Sequence, residues 1–86
     1  MATLIINSKG LPTAVNLGYD LSLTAVACSN YVSSPIGMFI PNSEVWVSAT
    51  ALYSDATETL ALAGYYSDGT DWKYWDGNSF TSGSTC

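Results

Sequence analysis

Two Asp-Gly pairs near the end of the chain constrain its fold more than any other feature. Glycine adopts the positive φ that tight turns require, so Asp-Gly between β-forming residues predicts a β-hairpin. The pair at residues 68–69 separates residues 65–67 from residues 72–75. The pair at residues 76–77 then leads into residues 79–81. We therefore expect consecutive antiparallel strands in the tail.

The rest of the chain gives shorter signals. Short strands are predicted at residues 3–7, 37–40 and 44–48, where β-branched and apolar residues are bounded by turn residues. Residues 11–20 contain a proline and Gly18 and are predicted to be irregular. Residues 21–30 fit either an alternating strand or a helix capped by Ser22. We favour a short helix that carries Cys28.

The size and composition predict one small domain at residues 1–86. The expected fold is mainly β, a single antiparallel sheet or a sandwich, with one short helix. Charged residues make up only 10% of the chain, against about 25% in an average soluble domain. Such a surface suits a protein that is assembled with copies or partners. A net charge of −5, with Lys9 and Lys73 as the only cations, argues against partners such as nucleic acid or an anionic membrane.

The two cysteines, Cys28 and Cys86, predict a disulfide more readily than two free thiols or a metal site. A structural metal site normally needs four ligands, and the chain has no histidine. Whether the bond forms within one chain or between chains stays open. Disulfides persist outside the reducing cytosol, yet the N-terminus lacks the basic region of a signal peptide. We expect either a leader lost earlier or release by lysis, as for virion proteins.

No catalytic constellation is recognisable, and no enzyme activity or cofactor is predicted. The usual general base is missing because there is no histidine, and neither cysteine has an obvious activating partner. Oxygen donors do cluster in the tail, at Asp68, Asp71, Asp76 and Asn78. Their spacing does not fit a calcium-binding loop, so turns are the favoured interpretation and no metal is predicted.

Aromatic residues in the tail are the candidate contact residues. The set comprises Tyr65, Tyr66, Trp72, Tyr74 and Trp75. Such rings either form a core or subunit interface, which we favour, or stack on the apolar faces of sugars. Strand alternation places Trp72 and Tyr74 on one face and Lys73 and Trp75 on the other. We interpret Lys73 as a solvated residue, or as a charge that keeps an edge strand from pairing with other chains, in preference to a cation–π partner.

The tail also resembles a known module. Its pattern, A-T-x-L-Y-S-D-A…L-A-x-x-G-Y-Y-S-D-G-T-x-W-x-Y-W-D-G-x-S-F-T…C, is carried by residues 49–55, residues 60–80 and Cys86. It is similar to a small module of Bacteroidetes surface proteins and of the virion proteins of their tailed phages. The Ala-Cys-x-x-Tyr segment at residues 27–31 matches the part of that module that supplies the first cysteine. The resemblance implies a β-rich structural or host-facing unit without a cofactor.

These observations predict a phage virion structural component: a head, collar, tail or fibre-associated subunit. The module usually ends a longer chain, whereas here it is nearly the whole protein, so we expect neighbours in the form of copies and other virion or surface proteins. Leu4, Ile5 and Ile6 are expected to pair with an open sheet edge of a neighbour. One alternative is a carbohydrate-binding adhesin or receptor-binding module with a host glycan partner, at the bacterial surface or secreted. Another is an extracellular filament subunit.

Overall fold

The computed structural model describes residues 11–86, which form an antiparallel sheet and one short helix. The elements in chain order are β1 (Thr13–Asp20), α1 (Thr24–Ser33), β2 (Ile36–Ile40), a 3₁₀ turn (Trp46–Ser48), β3 (Gly64–Ser67), β4 (Asp71–Trp75) and β5 (Phe80–Thr85). The strand order across the sheet is β2-β1-β3-β4-β5, and every pairing is antiparallel. The predicted mainly β class with one helix is confirmed. The strand predicted at residues 3–7 lies outside the described residues.

Both predicted hairpins are present in the tail. Gly69 and Gly77 have φ values of 91° and 100°, as hairpin turns require. The Asp68 carboxylate accepts backbone N–H bonds from the second and third residues after it, both at 2.9 Å. Asp76 does the same at 2.8 and 2.7 Å, and these backbone bonds lower the pKa of Asp76. The carboxylates therefore hold turns, as the sequence predicts.

Residues 11–20 are not irregular, which corrects the sequence prediction. Eight of them form β1, which lies inside the sheet between β2 and β3. Gly18 is buried where α1 crosses the strand. A Cβ atom at Gly18 would lie 2.1 Å from the Ala27 carbonyl oxygen and 2.3 Å from the Tyr31 amide nitrogen. The glycine therefore permits contact between helix and strand backbones rather than ending the strand.

Substituting Gly18→Ala is expected to push α1 away from the sheet, because a methyl group there meets backbone atoms that cannot rotate aside. We expect the free energy of unfolding to fall by at least about 1–3 kcal/mol, which is the common cost of overpacking. Urea denaturation monitored by circular dichroism measures the loss. Gly37→Ala is the matched control, because nothing lies within 4 Å of its added Cβ. Equal stability of the two variants would contradict this account.

The predicted short helix is confirmed as α1, but its cap differs from the prediction. The Asp20 carboxylate accepts the backbone N–H groups of Ser22 and Leu23 at 2.9 and 2.7 Å, so Ser22 is a donor and not the cap. The Asn30 amide donates to the Tyr19 carbonyl at 2.9 Å. These three hydrogen bonds fix the helix against the end of β1.

The predicted disulfide joins Cys28 on α1 to Cys86 directly after β5. Its Cα atoms are 6.1 Å apart, and the bond closes within one chain. The Cys86 N–H also donates to the Thr70 carbonyl at 2.7 Å. The covalent bond therefore links the helix to the last strand of the sheet.

The core lies on the face of the sheet opposite α1. It consists of Leu17, Met38, Ile40, Trp46, Ala49, Leu52, Ala61, Tyr66 and Trp75. Four of these residues come from residues 41–63, a long connection that covers this face. The strand predicted at residues 44–48 is wrong, because this part of the connection contains the 3₁₀ turn.

Aromatic polar atoms attach the connection to the sheet. Trp75 Nε1 donates to the Ala61 carbonyl at 2.9 Å. Tyr66 OH donates to the Leu62 carbonyl at 2.7 Å, and burial raises the pKa of this tyrosine. Trp46 Nε1 reaches back to a backbone carbonyl of β4 at 3.1 Å. A segment with little regular structure is thereby held in place.

Candidate functional site

The five aromatic residues of the tail are divided between the two faces of the sheet. Tyr66 and Trp75 are 2% and 0% exposed and belong to the core. Their burial fits the core alternative that the sequence analysis favours, and it leaves neither ring exposed for stacking on a glycan. Tyr65, Trp72 and Tyr74 lie on the opposite face and are half-buried. The face assignment of Trp72, Tyr74 and Trp75 by strand alternation is confirmed.

We call Tyr65, Trp72 and Tyr74 the aromatic face. The Tyr65 ring lies 5.5 Å from Trp72 and 4.9 Å from Tyr74 between ring centroids. Tyr74 and Trp72 pair across β4 and β5 with Ser82 and Ser84, and residues opposite each other project to the same side of a sheet. The aromatic face is therefore bordered by hydroxyl groups on β5.

A shallow groove extends the aromatic face towards α1. It has a volume of about 440 Å³ and is lined by Trp72, by the first turns of the helix and by the disulfide. Thr24 and Ser29 contribute hydroxyl groups to the lining. An aromatic ring next to hydroxyl groups forms a surface that could bind a sugar ring or the side chains of a protein partner.

Lys73 has a structural role, which corrects its interpretation as a solvated residue or as a charge that protects an edge strand. It lies on β4, which is inside the sheet. Its Nζ donates to the Ala49 carbonyl at 3.2 Å and lies 4.5 Å from the Phe80 ring centroid and 5.2 Å from that of Trp46. Burial lowers its pKa, opposed by nearby carboxylates led by Glu44. The cation–π alternative is the one that the structure supports.

The last strand, β5, is an open edge of the sheet. Within residues 11–86 no strand pairs with its outer side. It carries no charged residue and no proline, and all its residues after Phe80 are exposed. Natural edge strands are commonly protected by charges, prolines or covering segments. The other edge, β2, is partly covered, because Phe39 and Tyr53 exchange backbone hydrogen bonds of 2.9 and 2.8 Å.

The β5 edge is the candidate contact site that the sequence did not predict. The sequence predicted a strand only at residues 79–81, whereas β5 continues to Thr85. Thr81 and Thr85 are β-branched residues, which are common in strands, and they could have indicated that the strand continues to the end of the chain. The turn at residues 76–77 also predicts a returning strand after it.

Large apolar side chains are exposed over much of the surface. They are Leu11, Leu21, Leu23, Tyr31, Val32, Ile36, Val45, Val47, Leu60 and Leu62. Val32 and Leu62 are 82% and 79% exposed. Lys73, the one cation among the described residues, is partly buried. The surface thus combines many apolar groups with few charges.

The described residues contain neither a cluster of metal-binding side chains nor a helix that could span a membrane. No three acidic or cysteine side chains come together as ligands within residues 11–86. In the same part of the chain, no helix is both long and apolar enough to cross a membrane.

Comparison with known proteins leaves the sequence motif without independent support. No protein-family model, curated protein or solved structure matches this chain. The similarity to the surface-protein and virion module therefore rests on the motif residues alone.

Proposed function

We propose that this protein is a structural component of a phage virion that acts by self-assembly and by docking on other virion proteins. The observation that carries the proposal is the exposure of ten large apolar side chains on a surface with very few charges. Monomeric soluble proteins rely on surface charge to stay dispersed, and a surface with many large apolar side chains and few charges favours association. Association removes such side chains from water.

Two further features support a structural subunit. The uncharged β5 edge offers backbone hydrogen bonds to a neighbour. The disulfide fits a particle exposed to oxidising surroundings. The assignment to a virion, as opposed to another assembly, is supported by the tail motif at residues 49–55, residues 60–80 and Cys86.

The test is size-exclusion chromatography with mass detection, paired with intact mass under non-reducing conditions. We expect a discrete oligomer in which each chain has lost two hydrogens. A monomer that stays soluble at high concentration would overturn self-assembly. Reduction and alkylation of a sample separate an oligomer held by packing from one held by disulfides between chains.

A carbohydrate-binding role is the second candidate, favoured by the half-buried aromatic face with its border of serine hydroxyl groups. It predicts that a bacterial surface polysaccharide quenches the tryptophan fluorescence. It also predicts that Trp72→Ala abolishes retention on the immobilised polysaccharide. Tyr31→Ala is the control, because it removes an exposed ring outside the aromatic face. Equal retention of both variants would exclude this role for the face.

A further inference from the structure

The outer side of β5 presents unpaired backbone groups. Cys86 N–H donates to the Thr70 carbonyl, which sets the alternation along the strand: Ser84 and Ser82 turn their backbone groups towards β4. Gly83 and Thr85 therefore turn theirs away from the sheet. No strand among residues 11–86 lies there to receive them.

A groove beside this edge has room for side chains of an added strand. It has a volume of about 420 Å³ and lies next to β5. Val47 and Trp72 give its lining an apolar part, and the other lining residues are Asp71, Lys73, Gly83, Ser84 and Thr85. Val47 is 64% exposed at its rim. Gly83 has no side chain to fill the groove, and a Cβ there would lie 2.9 Å from the Trp72 carbonyl oxygen. The edge thus supplies backbone hydrogen bonds and, at Val47, an exposed apolar side chain next to an unfilled groove, whereas residues 81–85 of β5 have no large apolar side chain.

We propose that β5 accepts residues 3–7 of a second copy of this chain as an added strand. The inference rests on the proposed self-assembly and names its acceptor. Leu4, Ile5 and Ile6 supply the apolar side chains that β5 lacks. Because strand side chains alternate, Leu4 and Ile6 occupy one face and Ile5 the other. Leu4 and Ile6 fill the groove beside Val47 when the added strand turns the face that carries them towards this groove.

Pairing of β5 with the β5 strand of another copy is less favourable. Both strands carry only serine, threonine and glycine between Phe80 and Cys86. Such a contact makes backbone hydrogen bonds but removes little apolar surface from water, which is the main driving force for association. An N-terminal segment with three consecutive large apolar residues, added as a strand, would supply both backbone hydrogen bonds and apolar surface.

The segment of the same chain is too short to reach its own β5 edge. Four strand spacings of about 4.8 Å separate β1 from a strand beyond β5. From the pairing registers, Thr13 also lies about 13 Å further along the sheet than Thr85. The six residue steps from residue 7 to Thr13 extend about 22 Å at most. The two offsets together make about 23 Å, and the chain would also have to turn to enter the added strand. The donor therefore belongs to a neighbour, and the contact is head-to-tail, giving a ring or an open chain.

The experiment uses two complementary variants and measures mass during size-exclusion chromatography. Deletion of residues 2–8 removes the donor strand and leaves the acceptor. Thr85→Pro removes an outward N–H and blocks the acceptor, while the bonds of Ser84 and Cys86 to the sheet remain. We expect each variant alone to be monomeric at concentrations where the unmodified chain is assembled. Their mixture should form a 1:1 heterodimer and nothing larger, because only one donor and one acceptor remain.

Other outcomes identify what fails. If the deletion variant still assembles while Thr85→Pro does not, copies pair β5 to β5 and the donor assignment is wrong. If both variants still assemble, another surface drives assembly and the inference is overturned, while the proposed function stands. If the unmodified chain is itself monomeric, both fail. Thr85→Lys provides a second acceptor variant, and Leu4→Asp with Ile6→Asp a second donor variant. An intact disulfide and an unchanged circular dichroism spectrum show that each variant is folded.

Discussion

Replacing Cys28 and Cys86 together by serine is expected to lower the unfolding free energy by about 4 kcal/mol. The bond closes a loop over a separation of 58 residues, and its loss releases the unfolded chain from that constraint. Cys86 is exposed and Cys28 half-buried, so the serines leave little cavity. At about 4–8 °C per kcal/mol for a domain of this size, the melting temperature should fall by roughly 15–30 °C.

Guanidinium denaturation at a constant protein concentration measures this loss. Reduction of the unmodified protein is the control, because it breaks the same bond without changing the sequence and should destabilise the fold by a similar amount. A loss below about 1 kcal/mol would show that the chain-entropy account does not hold here. It would mean that hydrogen bonding of Cys86 to Thr70 and packing of α1 already hold the ends together.

The hairpins of the tail were predictable because their causes are local. An Asp-Gly pair fixes a turn through the carboxylate of one residue and the positive φ of the next, and β-forming residues flank both turns. The short helix was also predictable, although its cap was not. Asp20 lies at the end of β1, and only a strand that ends there can aim its carboxylate at the first amide groups of the helix.

The strand β1 was missed because the role of Gly18 is not local. Within its own segment the glycine indicates a break. Glycine is needed at this position because Ala27 and Tyr31 of α1 approach the strand closely. That approach depends on how the helix packs on the sheet. Nothing in the sequence around Gly18 indicates that contact.

Alternation was misleading at residues 44–48 for a related reason. Val45 and Val47 alternate with Trp46 as in a strand, but the two valines are 60% and 64% exposed and only the tryptophan is buried. A connection attached by one large side chain has the same pattern as a half-buried strand. The neighbouring strand that would distinguish them is a tertiary feature.

The candidate site was only partly predictable. Alternation along β4 correctly separated Trp72 and Tyr74 from Trp75, and this defines the aromatic face. The position of Tyr66 required the register of β3 against β1, where it pairs with Tyr19. The open edge at β5 was hidden because its polar, small residues are equally typical of a flexible end. Its significance follows from strand order, which no local pattern of this chain reveals.

Trp75→Ala is expected to lower the unfolding free energy by about 3–5 kcal/mol, as for large aromatic residues removed from a core. Trp75 is fully buried and its ring lies 4.9 Å from that of Phe80. Truncation also leaves the Ala61 carbonyl without its donor, which adds the penalty of an unsatisfied buried acceptor. The connection that covers the core would lose one of its attachments.

Trp72→Ala is the matched control, because it removes the same side chain three residues away on the same strand. Trp72 is half-buried on the aromatic face and makes no hydrogen bond to the connection over residues 41–63, so its loss should be near 1 kcal/mol, the ordinary effect of a substitution outside the core. Urea denaturation of both variants, with the disulfide intact, gives the difference. If Trp75→Ala does not fold, Trp75→Phe provides the measurable step, since it keeps most of the ring volume and deletes the N–H donor. Equal losses for Trp72→Ala and Trp75→Ala would contradict the division of the sheet into a core face and a contact face, because that division requires the two tryptophans to differ in burial.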